Sequence, residues 1–185
     1  MKPTHDHSHD AVVSEKTGIE LRPRDNKQDL ATAAAREFIN TVAELQRTGE
    51  TVTGDGIVRV VLTGGGAGIA TLSEIAALDH AAKQTAEDFP VTRIDWSQVY
   101  VFFGDERFLP AGDPERNDKQ AFDALLRHVD IPSLNVFRFP ALAAGEQADG
   151  PALDAAAEFY GKTVDQVAPE GFDIHLLGMG PEGHI

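Results

Sequence analysis

Three short runs in this sequence carry groups able to do chemistry. The last of them, Gly178-Met179-Gly180-Pro181-Glu182-Gly183-His184, sets glycines around a proline. That pattern predicts a loop that passes close to something, with His184 projecting from it. Histidine is the side chain best suited to passing protons near neutral pH. Earlier, Gly64-Gly65-Gly66 follows an apolar run and precedes a helical one. Such a turn lets backbone amides approach an anion at a helix N-terminus, or is simply a tight strand-to-helix connection. Between them, Gly104-Asp105-Glu106-Arg107 places three charges directly after another apolar run. An arginine fork matches phosphate oxygens in a bidentate way that lysine does not. The two carboxylates serve either acid–base chemistry or the orientation of Arg107 and the capping of nearby amides, the second being the expected role.

Other signals narrow the chemistry. The glycine spacing at 64–66 is not a dinucleotide fingerprint, and no Gly-Lys-Ser/Thr follows to make a P-loop. The absence of cysteine excludes disulfides, thiol catalysis and cysteine-ligated metal centres, and is compatible with a cytoplasmic location. A formal net charge of −14 argues against a nucleic-acid or anionic-membrane surface. An anion must therefore be held in a local pocket against a mildly repulsive field. His5, His7 and His9 lie in a polar stretch, residues 1–18, expected to be a disordered tail rather than a metal site. His80, His128 and His175 are expected to be surface or core residues, with His175 packed in mid-strand.

The elements that must position these groups follow from periodicity. Leu30, Ala34, Phe38, Val42 and Leu45 form one stripe of a helix over residues 26–47, with Asn26 or Asp29 as its cap and Gly49 as its stop. Residues 57–62 and 99–103 read as strands buried on both faces. Ile69, Leu72, Ile75 and Ala76 mark a helix between them. Further helices are expected near residues 118–128 and 153–167, and further strands at 136–139 and 172–177. Strands alternating with helices predict an α/β fold: a Rossmann-like, open, mostly parallel sheet with helices on both faces. In such sheets ligands bind beyond the carboxyl ends of the strands, where all three chemical runs fall.

Taken in order, these runs resemble the 6-phosphogluconolactonase family. The matching text is Val61-Leu62-Thr63-Gly64-Gly65-Gly66, then Ile94-Asp95-Trp96 leading into Phe103-Gly104-Asp105-Glu106-Arg107. Pro110, Asp113-Pro114-Glu115-Arg116-Asn117 and residues 172–184 complete it. The resemblance spans residues 19–185. It implies hydrolysis of 6-phospho-glucono-1,5-lactone to 6-phosphogluconate in the pentose phosphate pathway, with a small sugar phosphate as partner and neither metal nor organic cofactor. It also implies that Thr63, Gly64, Gly65, Gly66, Asp105, Arg107, Asn117 and Gly180 hold the substrate. His184 would be the general base and Glu182 its orienting carboxylate. A monomer or weak homo-oligomer is expected. The related glucosamine-6-phosphate deaminase/isomerase group typically has Asp-Glu-Tyr where this chain has Asp105-Glu106-Arg107, so Arg107 favours the lactonase. Both groups continue beyond the histidine. Residues 19–185 are therefore expected to be one sugar-phosphate-binding domain truncated at its C-terminus. A 185-residue species is expected to have little activity, leaving a silent binding domain as the alternative.

Overall fold

The structure, a computed structural model, describes residues 12–13, 17–85 and 92–185. The histidines at 5, 7 and 9 lie outside the described residues. Of the expected tail, β1 (Val12–Val13) pairs antiparallel with β2 (Glu20–Leu21).

The first helix, α1 (Lys27–Thr48), is bounded by local chemistry. Asn26 accepts a hydrogen bond from the Asp29 amide at 2.9 Å, and Gly49, at φ 73°, returns its N–H to Leu45 O. Both are standard solutions for the unpaired groups at helix ends. The buried face runs through Ala31, Ala35, Phe38, Ile39 and Val42, while Leu30 is exposed. The stripe is thus turned by one residue in its first half. The alanines let α1 approach the helix it packs against, α2 (Gly65–Thr85).

Between these helices runs β3 (Val58–Leu62), buried at every position. Its β-branched, unalternating sequence suits a strand covered on both faces. Parallel to it on one side lies β4 (Val99–Phe103), in register from Val58↔Val99 to Leu62↔Phe103. On the other side lies β5 (Ile174–His175), paired Val60↔Ile174. The order is β4-β3-β5. One face is covered by α1, α2 and α3 (Asn117–Ala124), whose Val42, Leu72, Ile75 and Ala121 join Val60, Val101 and Phe103 in the main core. Against the other face, Val61 and Phe102 meet Val164 and Val167 of α4 (Gly150–Val167). The expected open, parallel α/β sheet with helices on both faces is therefore present.

Two expected strands are corrected. Residues 136–139 make a single parallel bridge, Val101↔Val136. The carbonyls that would extend a ladder are taken by side chains instead: Phe137 O accepts from the Tyr160 hydroxyl at 3.1 Å, and Phe139 O from Arg116 at 2.9 Å. The strand expected at 172–177 contracts to β5, with Asp173 and Leu176 adding one backbone bond each to β3. The helix expected from 153 begins at Gly150, because Asp149 caps the Ala152 amide and Pro151 fits the first turn.

Tyr160 ties α4 to the end of the sheet. Its hydroxyl accepts from the Phe103 amide at 2.9 Å and its ring stacks on Phe139. Burial pushes the Tyr160 hydroxyl up from 10.0 to about 12. The neutral phenol is thus favoured in the fold, and its contribution is complete below pH 10 and lost as pH rises from 10 toward 12. Tyr160→Phe is expected to cost about 1–3 kcal/mol in urea unfolding, because the Phe103 amide loses its acceptor. It should also remove this part of the alkaline loss of stability.

Candidate functional site

Each of the three parallel strands ends at one of the chemical runs, and together these runs line a pocket of about 520 Å³. Thr63, Gly64, Gly65, Gly66, Asp105, Arg107, Asn117, Gly180 and His184 all contribute to its wall. Glu182 stands behind the wall, beside His184.

The glycine run forms the turn from β3 into α2. Gly65 has φ 76°, which admits glycine without strain. At Gly64 the reason for glycine is space: a Cβ there would overlap the Asn117 amide, with Cγ at 2.8 Å. Among the described residues no side chain caps the first turn of α2, and that turn holds no acidic residue. Its amide N–H groups therefore face the pocket end with the positive end of the helix dipole behind them.

After β4 the three charges separate in role. Glu106 turns inward and accepts from the amides of Asn117 at 2.6 Å, Asp118 at 2.9 Å and Arg107 at 2.8 Å. It is the cap of α3. Asp105 accepts from Asn117 Nδ2 at 3.1 Å, through both its backbone and side-chain oxygens. Asn117 Oδ1 in turn accepts from Arg107 Nη1 at 2.8 Å. The amide of Asn117 thus sits between Asp105 and Arg107 and fixes the guanidinium plane. The rest of the fork has no side-chain partner among the described residues.

Beneath this arrangement lies Arg116, 1% exposed. It makes two bonds of 3.0 Å to Asp118 and reaches the carbonyls of Arg107, Leu109 and Phe139. Glu106 Oε2 lies 3.7 Å away. The residue-by-residue reading assigned no role to Arg116; its available signal was an arginine placed directly before a helix start with an aspartate two residues on.

The third run closes on itself. Gly183 N–H bonds to Gly180 O at 2.9 Å, a turn with Pro181 at its second position, and Gly180 N–H bonds to His184 O at 2.8 Å. The imidazole lies against Gly180, where a Cβ would come within 2.7 Å of Nδ1. Glu182 Oε2 is 3.5 Å from the same Nδ1, and both side chains are largely exposed, at 77% and 75%. The carboxylate thus stands beside the imidazole without hydrogen-bonding to it.

Two further residues reach the site. His175, expected to be packed, is exposed and lines the pocket beside Gly104. It sits on the edge strand, where no neighbouring strand covers it among the described residues. Lys27, from the first position of α1, extends its ammonium over Gly66. Among the described residues no group of three or more His, Asp or Glu is placed to hold a metal ion, and no helix is long and apolar enough to cross a membrane.

An open parallel sheet whose strand-end loops converge on one pocket of mixed lining defines an α/β domain of the ligand-binding kind. The family described as glucosamine-6-phosphate isomerases/6-phosphogluconolactonase matches residues 25–185, and the chain belongs to it. The 6-phosphogluconolactonase of Mycobacterium tuberculosis is 41% identical over 174 residues, covering 91% of this chain and 61% of that protein. That of Streptomyces coelicolor is 36% identical over 167 residues, covering 86% and 57%. The chain thus spans about three fifths of the length of these relatives. Among solved structures, 6-phosphogluconolactonase from Trypanosoma cruzi superposes with a TM-score of 0.65 at 26% identity, over 86% of this chain and 58% of that one. A monomeric glucosamine-6-phosphate deaminase shares the fold, with a TM-score of 0.64 at 22% identity, over 88% and 56%.

The buried ion network makes a direct prediction. Arg116→Met leaves Glu106 without its counter-charge in the interior and Asp118 with only Arg138, 4.0 Å away. It is expected to lower the unfolding free energy by about 3–5 kcal/mol in denaturant titration. A loss within 1 kcal/mol, by the same measure, would show that the network is not needed for folding.

Proposed function

We propose that the protein hydrolyses 6-phospho-glucono-1,5-lactone to 6-phosphogluconate, with these residues forming the phosphate-holding side of the site and its general base. The observation that carries this reading is the convergence of His184, the Arg107 fork and the uncapped first turn of α2 on one pocket. Family membership and the 41% identity to a 6-phosphogluconolactonase support it.

The geometry supports the following roles. The substrate phosphate rests on the amides of Gly65 and Gly66 with the free donors of Arg107 beside it. Asn117 and Asp105 keep that fork in plane. A phosphate remote from the reacting carbon supplies binding energy that fixes the lactone carbonyl. At the other end, Nε2 of His184 takes a proton from water as its oxygen bonds to C1. The tetrahedral intermediate collapses by breaking the bond from C1 to the ring oxygen. The imidazolium then returns its proton to that oxygen, and the carboxylic acid product ionises. Glu182, beside the ring, stabilises the transient imidazolium. The step balances without a metal or organic cofactor.

His184→Ala is expected to lower lactone turnover at neutral pH about 10²–10⁴-fold, measured above the spontaneous hydrolysis, with binding of 6-phosphogluconate kept. An unchanged rate removes His184 from the mechanism. A wild-type rate equal to the background leaves a binding domain only. Arg107→Lys, which replaces a fork with a point charge, should weaken 6-phosphogluconate about tenfold and unphosphorylated gluconate little. Equal losses for both would make Arg107 a structural residue.

A further inference from the structure

We propose that Lys27 is a phosphate-anchoring residue of this site, closing the subsite from the α1 side. The inference rests on the lactonase reading above and adds a residue that lies outside all three strand-end runs.

Lys27 occupies a place that the fold alone disfavours. It is the first residue of α1, where a cation opposes the helix dipole. Its ammonium also reaches the first turn of a second helix, α2: a Cβ on Gly66 would stand 2.5 Å from Nζ and 3.5 Å from Cε. The Lys27 ammonium therefore adds its charge to the positive end of the α2 dipole. Among the described residues no carboxylate pairs with Lys27, and the first turn of α2 holds no acidic side chain that would balance it. Asp29, the acidic residue in the first turn of α1, is hydrogen-bonded to Asn26 instead. Gly66 itself lines the pocket that Arg107 also lines. A dianionic phosphate seated on the α2 amides would lie between the Arg107 fork and the Lys27 ammonium. It would remove the like-charge conflict and take one further charge-assisted hydrogen bond. The absence of a side chain at Gly66 leaves room for this approach.

The test compares wild type, Lys27→Gln and Lys27→Arg by calorimetric titration with 6-phosphogluconate, gluconate and inorganic phosphate, at two salt concentrations. Lys27 is exposed, so the variants should keep the wild-type circular dichroism and, without ligand, at least the wild-type melting temperature. Lys27→Gln is expected to weaken 6-phosphogluconate and inorganic phosphate about three- to tenfold, as for one partly exposed charge-assisted contact, and to flatten the salt dependence. Gluconate should be unaffected, and Lys27→Arg should restore most of the loss. If Lys27→Gln binds 6-phosphogluconate as wild type does while Arg107→Lys weakens it, the Lys27 proposal is overturned and the lactonase reading stands. If wild type itself shows no preference for 6-phosphogluconate over gluconate, both fall.

Discussion

The arrangement of the site depends on a guanidinium hidden from water. A buried arginine is tolerated only when its charge is matched and its donors are used, and Arg116 meets both conditions by drawing separate pieces of chain together. Asp118 supplies the matching carboxylate, and the carbonyls of Arg107, Leu109 and Phe139 take the remaining donors. Glu106, close by, spends its oxygens on three amides. The loop after β4, the start of α3 and the segment near Phe139 thereby become one unit. The direction of the Arg107 fork is a product of that unit rather than of its own packing.

Much of this fold could be read from local sequence. Asn26 and Gly49 bound α1, and the mostly apolar, non-alternating runs of β3 (interrupted by Arg59) and β4 specify strands covered on both faces, because in each case the decisive signal is local in the chain. The strand expected at 136–139 is absent for the opposite reason. Whether an apolar run joins a ladder depends on what lies beside it, and here the Tyr160 hydroxyl and the Arg116 guanidinium claim carbonyls that a strand would use. The site divides along the same line. Glycines and charges at strand ends announce the three loops. Which of Asp105 and Glu106 turns inward is settled only by α3 arriving alongside. His175 enters the pocket because it sits on an edge, and Lys27 comes beside Gly66 because α1 packs against α2. Neither fact is written in the spacing of nearby residues.

The two ends of the pocket are held by different means. The end facing the α2 amides is backed by a buried ion network and a continuous parallel register between β3 and β4. The His184 end rests on a short turn whose bonds are internal to it, with an exposed imidazole lying on Gly180. The geometry around the Arg107 fork is therefore fixed by the core, and the placement of the imidazole by a short exposed turn. This separation suits a site where anchoring occurs at one end of a ligand and bond-making at the other.

The contact between Gly64 and Asn117 has a consequence for how such a chain diverges. The amide fills the volume that any side chain at 64 would need, and the same amide joins Asp105 to Arg107. A lineage that placed a side chain at 64 while retaining Asn117 would dislodge the bridge, and one that shortened 117 alone would free the guanidinium before any gain appeared. Every single-step path between the two arrangements crosses a form with the fork unmoored. The two positions, far apart in the chain, are consequently coupled, so that the effect of a change at either depends on the residue at the other.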